Sequence, residues 1–508
     1  MVRDGEILVL TTHEMDYWLS FQEIVPALER VWARIGQSGR EAVRMFRVPL
    51  APEVEQLLLT SSSRVKRIVM IARSPETIRI ALHLRRRMNV TAPMIIYVHG
   101  DALEGFQAFG ALPNFLTEMD ILVVTCEAEA RTTRCVFPNA QVTVIPFPLV
   151  DGFKVNGEGG DPGHEAAGLA YVGRISEQKN LHTLLLALWV LRTSCARAPK
   201  ISLDVYGAED NLGTPHSGLR HPAYGTYLQR LAESLGVHDI VRWHGFKQRD
   251  WLFEHVHTQP HVFVSPTLHS DENFGSSLLA SLANGHQALT TAWGGHLDFK
   301  EWFSEQLSLV PVHRSTRGPI VDPVLLANAI LRAASRRSTA IVDEATLDRG
   351  RAAFSEGSVT TRTLELLSRP GGRPVPLERS PSLRYIDERR AYYGGADRIY
   401  SDYADPVLQI FYEAYGMKEP ITFQERSSYV LPPWTSYSDG VLRVDDPHRG
   451  QQSFPVGAYT SEPLDVTLCP SMETCRLPER LVRTLVTQGY AFVLARGDRT
   501  TEASPLVG

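Results

Sequence analysis

The sequence predicts an α/β protein with two doubly wound domains and a C-terminal extension. Short, β-branched apolar segments alternate with helical periodicity through residues 1–150 and again through residues 169–369. Such alternation is typical of a mostly parallel sheet with helices on both faces. Residues 151–168 are glycine-rich, polar and without periodicity, so they are the predicted linker and hinge between the two domains. Residues 370–508 form the extension.

The first domain contains five apolar segments that we predict to be strands. They are residues 7–10, 67–71, 94–98, 121–124 and 142–146. Helical periodicity covers residues 21–35, and a second helix is predicted over residues 75–88 because Ser74 can cap it and Pro75 suits its first position. The cations Arg85, Arg86 and Arg87 at its end favour a solvated helix terminus over a membrane patch, since three charges are too few for anchoring.

The second domain repeats the alternation. The predicted strands are residues 169–172, 201–207, 241–246, 261–264 and 288–291. One helix is predicted to end near Leu191, another to begin at Pro323 with Asp322 as its cap, and a further helical stretch covers residues 343–367.

The stretch from Pro266 to Asp298 organises the second domain. Residues 272–275 (Glu-Asn-Phe-Gly) are predicted to open a helix whose free backbone N–H groups attract anions, and Gly285 is its predicted C′ residue. A carboxylate and a row of amide donors would therefore lie at the carboxyl end of a strand, where open α/β sheets bind ligands.

Two motifs together resemble the retaining nucleotide-sugar glycosyltransferases of the GT-B fold, in the family that includes bacterial mannosyltransferases and sucrose-phosphate synthases. One is Glu272, any residue, Phe274-Gly275, followed by small residues and Gly285. Ala280 stands where this family has a second Glu, which usually holds the ribose of the donor. The other motif is Gly173-Arg174, a short loop, and Lys179 just before a helix.

The resemblance implies a fold and a set of roles. It implies two Rossmann-like domains that face each other across a cleft, with donor mainly on the second domain and acceptor on the first. Arg174 and Lys179 would hold the diphosphate and stabilise the charge of the leaving group. Glu272 would hold donor-sugar hydroxyls, and the remaining donor-binding residues would be those of two loops. These residues are Gly245, Phe246, Asn273, Phe274 and Gly275.

Three roles stay open at the level of the sequence. His99 follows the strand at 94–98 and either faces the reaction centre, as in many family members, or is a loop histidine without a role. Gly245 and Phe246 either lie by the nucleobase or form a plain tight turn. His269 or Ser270 could contact the sugar.

The predicted function is transfer of a sugar from a nucleotide-sugar donor to an acceptor hydroxyl with retention of configuration. The donor is a substrate, and neither a cofactor nor a metal ion is expected, because the two cations would serve the diphosphate. The acceptor would be a glycan, a lipid-linked molecule or a small molecule. Ala280 and the absence of a Gly-Gly pair near His13 favour an alternative, a non-catalytic GT-B protein that binds glycan or a partner glycosyltransferase. A phosphorylase or epimerase is a third option.

Composition excludes several other classes. The chain has 508 residues, a net charge of −5 and 21% charged residues, which gives no electrostatic case for nucleic-acid binding. Five cysteines do not form a disulfide framework, and Cys469 and Cys475 lack a second ligand pair for zinc. The sequence shows neither a signal peptide nor a spanning segment, so a cytoplasmic protein is expected, with peripheral membrane contact as a further option.

The extension resembles no family that we recognise. A Pro- and Gly-rich boundary at residues 370–376 precedes a region rich in tyrosine. Aromatic residues in such numbers form a small core, a subunit interface or a platform for sugar rings, and the first two are favoured. A homo-oligomer through this extension is therefore among the expectations.

Overall fold

The structure is a computed structural model in which most of the chain is described. The described residues are 5–12, 19–60, 64–72, 74–87, 92–100, 115–149, 167–194, 200–209, 223–257, 261–269, 272–316, 318–336, 344–369, 372–381, 412–424, 427–446, 450–459 and 477–496. The predicted linker falls almost wholly outside them, as do His13, Ser270, Asp271 and the tyrosines between residues 382 and 411.

The first domain is built on a six-stranded sheet in the order β2-β1-β3-β4-β5-β6, and all its neighbours pair in parallel. Its strands are β1 (Glu6–Thr12), β2 (Val43–Val48), β3 (Val65–Met70), β4 (Met94–Tyr97), β5 (Ile121–Val124) and β6 (Gln141–Val144). Its helices are α1 (Leu19–Gln37), α2 (Pro52–Thr60), α3 (Pro75–Arg87) and α4 (Glu127–Val136). The central strands are buried on both faces, which is why they are continuous apolar runs.

The second domain has its own six-stranded parallel sheet, in the order β12-β11-β10-β7-β8-β9. Its strands are β7 (Ala167–Val172), β8 (Ile201–Tyr206), β9 (Val241–Gly245), β10 (Val262–Ser265), β11 (Gln287–Thr291) and β12 (Leu307–Val310), and a hairpin of β13 (Val312–Ser315) and β14 (Gly318–Val321) follows. Its helices are α5 (Leu181–Ser194), α6 (Tyr224–Ser234), α7 (Arg249–His255), α8 (Ser276–Ala283), α9 (Pro323–Arg336), α10 (Glu344–Ala353) and α11 (Glu356–Leu367).

These two parallel sheets confirm the predicted fold class, an α/β protein of the GT-B type. The loops at their carboxyl edges meet. The hydroxyl of Thr125, after β5, donates to the carbonyl of Asn273 at 2.9 Å, and the amide of Glu127 donates to Asp298 at 2.8 Å. The last helix of the second domain, α11, returns to the first domain, where Glu356 forms ion pairs with Arg30 and Arg34 on α1.

Caps and breaks explain where several predicted helices begin and end. Asp322 accepts hydrogen bonds from the amides of Val324 and Leu325, so α9 begins at the predicted residue. The stretch predicted as one helix over 343–367 is two helices, because Ser355 caps α11 by accepting from the Ser358 amide at 3.1 Å.

Two sequence predictions need correction. The helix predicted to open at residues 272–275 begins at Ser276, because Gly275 adopts a left-handed conformation with φ of 87°. Glu272 therefore lies in the turn before the helix. Arg85 is not part of a solvated basic cluster: its guanidinium forms two 2.7 Å hydrogen bonds with the fully buried carboxylate of Asp120.

The extension forms a small third unit with its own core. It contains a pair of antiparallel strands, β15 (Ser427–Val430) and β19 (Phe492–Arg496), a three-stranded antiparallel sheet of β16 (Thr435–Ser438), β17 (Val441–Asp446) and β18 (Gly450–Pro455), and α12 (Glu479–Thr487). Its buried residues include Leu442, Val444, Leu481, Leu485 and Tyr490. A core was one of the predicted roles of the extension. Among the described residues, no helix is long and apolar enough to cross a bilayer.

Candidate active site

The order of strands in the second sheet marks the place where a ligand would bind. From β7 the chain moves to β8 and β9 on one side, and then returns to β10 on the other side of β7. Ligands of open α/β sheets bind outside the carboxyl ends of the strands at such a switch point. Gly173 and Arg174 directly follow β7, while His269 and Glu272 lie in the loop after β10. The predicted residues of both motifs therefore meet at this position.

Backbone contacts fix the turn that carries Lys179. Residues Glu177–Lys179 form a 3₁₀ turn that ends at Asn180, which adopts a left-handed conformation with φ of 59°. The side-chain amide of Asn180 donates to the carbonyl of Pro266 at 3.0 Å. The Leu268 amide donates to the carbonyl of Gln178 at 2.8 Å. These bonds hold the loop after β7 against the loop after β10.

Lys179 and Glu272 form an ion pair at the centre of the site. The ammonium lies 2.5 Å from one carboxylate oxygen, and the two side chains are 14% and 9% exposed. Burial raises the pKa of Glu272, but the Lys179 ammonium and the neighbouring His296 and His269 outweigh it, so the pKa is lowered and the group is a carboxylate. His296 lies 3.7 Å from the other carboxylate oxygen. Burial, together with Lys179 and against the pull of Glu272, lowers the pKa of His296 to about 4, so its imidazole is neutral at pH 7.

Arg174 is held by a histidine. Its guanidinium lies 2.7 Å from Nε2 of His269, and since arginine only donates, this nitrogen is the acceptor. Burial lowers the pKa of His269 well below its usual range, and the charges of Arg174 and Lys179 lower it further. The indole of Trp293 donates to the carbonyl of His269 at 2.8 Å. A neutral histidine therefore orients the guanidinium without competing for its charge.

A Gly-Gly turn after β11, formed by Gly294 and Gly295, holds the backbone of Glu272 in place. The Gly295 amide donates to the carbonyl of Glu272 at 2.7 Å, and the Gly294 amide donates to the carbonyl of Tyr415 at 2.9 Å. The ring of Tyr415 lies 5.5 Å from that of Trp293, centroid to centroid. A Cβ on Gly294 would overlap the Glu272 carbonyl and the Tyr415 ring, so only glycine fits there. The C-terminal extension thus contributes a residue to the wall of the site.

His99 connects the first domain to the same loop through aromatic rings. It is buried, its Nε2 contacts the carbonyl of Ile71, and its ring stacks on Phe147 at 5.3 Å between centroids. Phe147 in turn meets Phe274 edge-on at 5.2 Å. Phe274 is itself buried among Phe299 and Phe354. The structure therefore brings His99, Asn273 and Phe274 to the domain boundary, where Phe274 is packed as a core residue.

Gly245 and Phe246 lie at the far side of the site. Gly245 ends β9, two strands from β7, which corresponds to about 10 Å. It adopts φ of 69°, its carbonyl accepts from the Gly207 amide at 2.9 Å, and Phe246 is 48% exposed. The pair is thus a tight turn with an accessible ring, and the described contacts do not link it to Arg174 or Glu272.

The sequence did not reveal His296, Trp293 or the contact of Tyr415 with the Gly-Gly turn. It left His269 and Ser270 as alternative contacts for the sugar. The Gly294-Gly295 pair before His296 was a usable signal, because a turn after β11 must face the same edge as Glu272. No signal at Tyr415 pointed to its place, since the contact joins residues more than a hundred positions apart.

Together the fold and the site define a two-domain α/β protein with paired cations at the switch point of its second sheet. Residues 163–303 match the family model described as "Glycosyl transferases group 1". This match covers both motifs and supports a glycosyltransferase domain there. It does not distinguish the mannosyltransferases from the sucrose-phosphate synthases, so the resemblance to these particular enzymes stays a prediction. No curated protein matches the chain significantly.

Several solved structures are similar in outline. A "lipopolysaccharide outer core galactosyltransferase WaaB apo form" shares 11% identity over 71% of this chain and 99% of that chain, with a TM-score of 0.48. A glycosyltransferase from Rickettsia africae ESF-5 shares 13% identity over 72% of this chain and 100% of that chain, with a TM-score of 0.47. A trehalose-6-phosphate synthase shares 12% identity over 73% of this chain and 100% of that chain, with a TM-score of 0.47. Similarities this low say nothing about the donor or acceptor of this chain.

Proposed function

We propose that the protein is a retaining glycosyltransferase that transfers a sugar from a nucleotide-sugar donor to an acceptor hydroxyl. The observation that carries this proposal is the convergence of Arg174, Lys179 and Glu272 at the switch point of the second sheet. Two cations beside one carboxylate suit a ligand with a diphosphate at one end and hydroxyl groups at the other. The family match over residues 163–303 supports the transfer of a sugar, and retention is part of the proposal alone.

The charges suit the departure of a nucleoside diphosphate. Breaking the glycosidic bond places additional negative charge on the leaving phosphate, and preorganised cations stabilise such charge most where water is excluded. Arg174 donates in a planar fork that matches two phosphate oxygens. Lys179 has three N–H donors, so it reaches a phosphate while it keeps Glu272 in place.

Glu272 is suited to hold hydroxyl groups of the donor sugar. It stays a carboxylate because Lys179 lowers its pKa against the effect of burial, and a carboxylate only accepts hydrogen bonds. The neutral His296 beside it adds an imidazole at the same place. With the acceptor hydroxyl held on the same face of the anomeric carbon as the departing diphosphate, the new bond to the acceptor oxygen forms on the face where the bond to the phosphate oxygen breaks, and the configuration is retained. The acceptor's proton passes to the leaving phosphate oxygen, and no metal ion is invoked in this scheme.

The test is turnover with a panel of nucleotide sugars, followed as slow donor hydrolysis and as transfer to simple sugar acceptors. The expected result is release of nucleoside diphosphate from at least one donor, with product of retained anomeric configuration by proton NMR. Arg174→Ala should abolish release, whereas Arg242→Ala should not, because Arg242 is an exposed guanidinium paired with Asp204 on the same domain. Inverted product would overturn the retaining assignment, and release unaffected by Arg174→Ala would overturn the site.

A second candidate function is a non-catalytic GT-B protein that binds glycan or a partner glycosyltransferase. One observation favours it: Ala280, on the partly exposed face of α8, has no carboxylate to accept from a ribose hydroxyl. The two candidates differ in nucleotide binding. A protein that binds no nucleoside diphosphate and no nucleotide sugar, yet retains its fold, would support this alternative.

A further inference from the structure

Three buried histidines meet at the opposite edge of the second sheet. His257 follows α7, while His261 and His286 directly precede β10 and β11. They are 7%, 7% and 9% exposed. One potential ligand atom from each imidazole lies within 4.8 Å of those of the other two. Because β10 and β11 carry the candidate active site at their carboxyl ends, this cluster at their amino ends is separate from it.

The three imidazole rings lie close together. The His261 and His286 rings lie 4.0 Å apart between centroids, and the His257 ring lies 6.0 Å from each. On a tetrahedral Zn²⁺ with Zn–N distances of about 2.0–2.1 Å, ligand nitrogens are about 3.4 Å apart. The ligand atoms of the three imidazoles, which lie within 4.8 Å of one another, would therefore move closer by up to about 1.4 Å to bind one ion.

Two hydrogen-bonding observations point to a ligand. Nε2 of His286 lies 2.8 Å from the carbonyl of His257, so this nitrogen donates and the lone pair is on Nδ1. Histidines that bind metal commonly donate their other N–H to a backbone carbonyl in this way. Nδ1 of His257 is buried and has no hydrogen-bond partner within the described part of the chain. A buried polar nitrogen without a partner is costly, and a metal ion would satisfy it.

Histidine binds metal ions through a ring nitrogen, and each of the three imidazoles offers one such atom. Three nitrogen ligands suit zinc and its neighbours in the first transition row, and they do not suit Mg²⁺ or Ca²⁺.

We propose that His257, His261 and His286 bind one Zn²⁺ ion, with water as the fourth ligand. The ion would join the segment after α7 to the residues just before β10 and β11. It would so stabilise the two strands whose carboxyl ends lead to Glu272 and to the Gly294-Gly295 turn. This site does not depend on the proposed transferase function. The expectation of no metal ion rested on the two cations at the diphosphate and on the isolated cysteines, and it did not concern these histidines.

The test uses the full-length protein, freed of metal by a chelator and titrated with Zn²⁺ in a calorimeter. The expected result is one equivalent of Zn²⁺ per chain and a rise in melting temperature on binding. His257→Gln should weaken binding by at least about tenfold and remove the rise, since one of three ligands is lost. His255→Gln is the matched control, because this exposed imidazole lies two residues away and should leave binding unchanged.

X-ray absorption on zinc-loaded wild-type protein keeps the proposal testable if His257→Gln does not fold. Three imidazole ligands would support the site, and fewer than three would overturn it. Equal Zn²⁺ affinity in wild type and a folded His257→Gln variant would also overturn it, because the ion would then be bound elsewhere. Absence of a zinc equivalent in the calorimeter would do the same.

Discussion

The ammonium of Lys179 lies 2.5 Å from a carboxylate oxygen of Glu272, and both side chains are largely buried. This pair joins the loop after β7 to the loop after β10, and hence the two halves of the switch point. The desolvation of both charges makes the pair sensitive to the loss of either partner. It also keeps Glu272 ionised in a place where a neutral carboxyl group would otherwise be favoured.

Loss of one member of this ion pair should destabilise the protein more than loss of both members. Lys179→Met leaves a buried carboxylate without its partner and should destabilise the protein by about 3 kcal/mol, and Glu272→Gln should do so in a comparable way. The double variant should cost less than the sum of the two. Melting temperatures of the four proteins form the cycle. Strictly additive effects would show that the two groups do not interact in solution.

Gly295 is the position where a single methyl group should disturb the site most. A Cβ at Gly295 would overlap the backbone of Asn273 and Phe274, so Gly295→Ala should displace the turn that carries Glu272. We expect nucleotide affinity to fall by at least about tenfold, the equivalent of one lost hydrogen bond to a charged group. The matched control is Gly457→Ala, where a Cβ meets nothing within 4 Å. Similar affinities in both variants would contradict the described packing.

The extension should influence turnover through Tyr415. Its ring packs near Trp293, whose indole donates to the carbonyl of His269, and the alanine variant loses this ring while its own carbonyl can still accept from Gly294. Tyr415→Ala should therefore lower kcat by roughly tenfold or more through misplacement of Arg174 and Glu272. Glu413→Ala is the control, because this half-exposed carboxylate pairs with Arg314 at the surface. Equal kcat values for the two variants would show that the extension does not influence turnover through Tyr415.

Much of this arrangement follows from local sequence, and the rest does not. Buried parallel strands such as β4 and β5 were predictable because they are continuous apolar runs. Arg174, Lys179 and Glu272 were predicted from two motifs that resemble a glycosyltransferase family, and the structure brings the loops that carry them to the carboxyl edge of the second sheet. β2 was missed, since its half-buried V-R-M-F-R-V pattern is typical of an edge strand with weak periodicity.

Long-range contacts account for the features that the sequence did not reveal. After the second domain the chain contacts the first domain around Leu377 and then comes back to the second domain, where Tyr415 contacts Gly294. The histidine cluster joins α7, β10 and β11, and no single segment contains all three imidazoles. The start of α8 was misplaced by four residues because Gly275 takes a left-handed conformation that a helical pattern does not reveal.

Ionisation of Asp322 should make the protein less stable as the pH rises. Burial raises the pKa of this helix-capping carboxyl to about 6, against the hydrogen bonds from Val324 and Leu325. The native state thus binds this proton more tightly than the unfolded state, where the pKa is about 3.9. Its contribution to stability is full below about pH 4 and is lost as the pH rises through about 6.

Asp322→Asn keeps an oxygen that can cap α9 but removes the titration. The variant should gain stability relative to wild type between about pH 4 and pH 6, by up to about 3 kcal/mol at neutral pH. Melting temperatures of both proteins across this range provide the difference curve. A difference that does not change with pH would show that the carboxyl group is not buried as described.

The most direct test of the central claim is calorimetric titration of nucleoside diphosphates into the wild-type protein, Arg174→Ala and Arg242→Ala. Arg174 is held by His269 at the switch point, whereas Arg242 is exposed on β9. The predicted result is binding of at least one nucleoside diphosphate by wild type and by Arg242→Ala, with affinity for Arg174→Ala reduced by about 10- to 100-fold. Absence of binding to wild type, or equal affinities in all three folded proteins, would contradict a diphosphate site at Arg174.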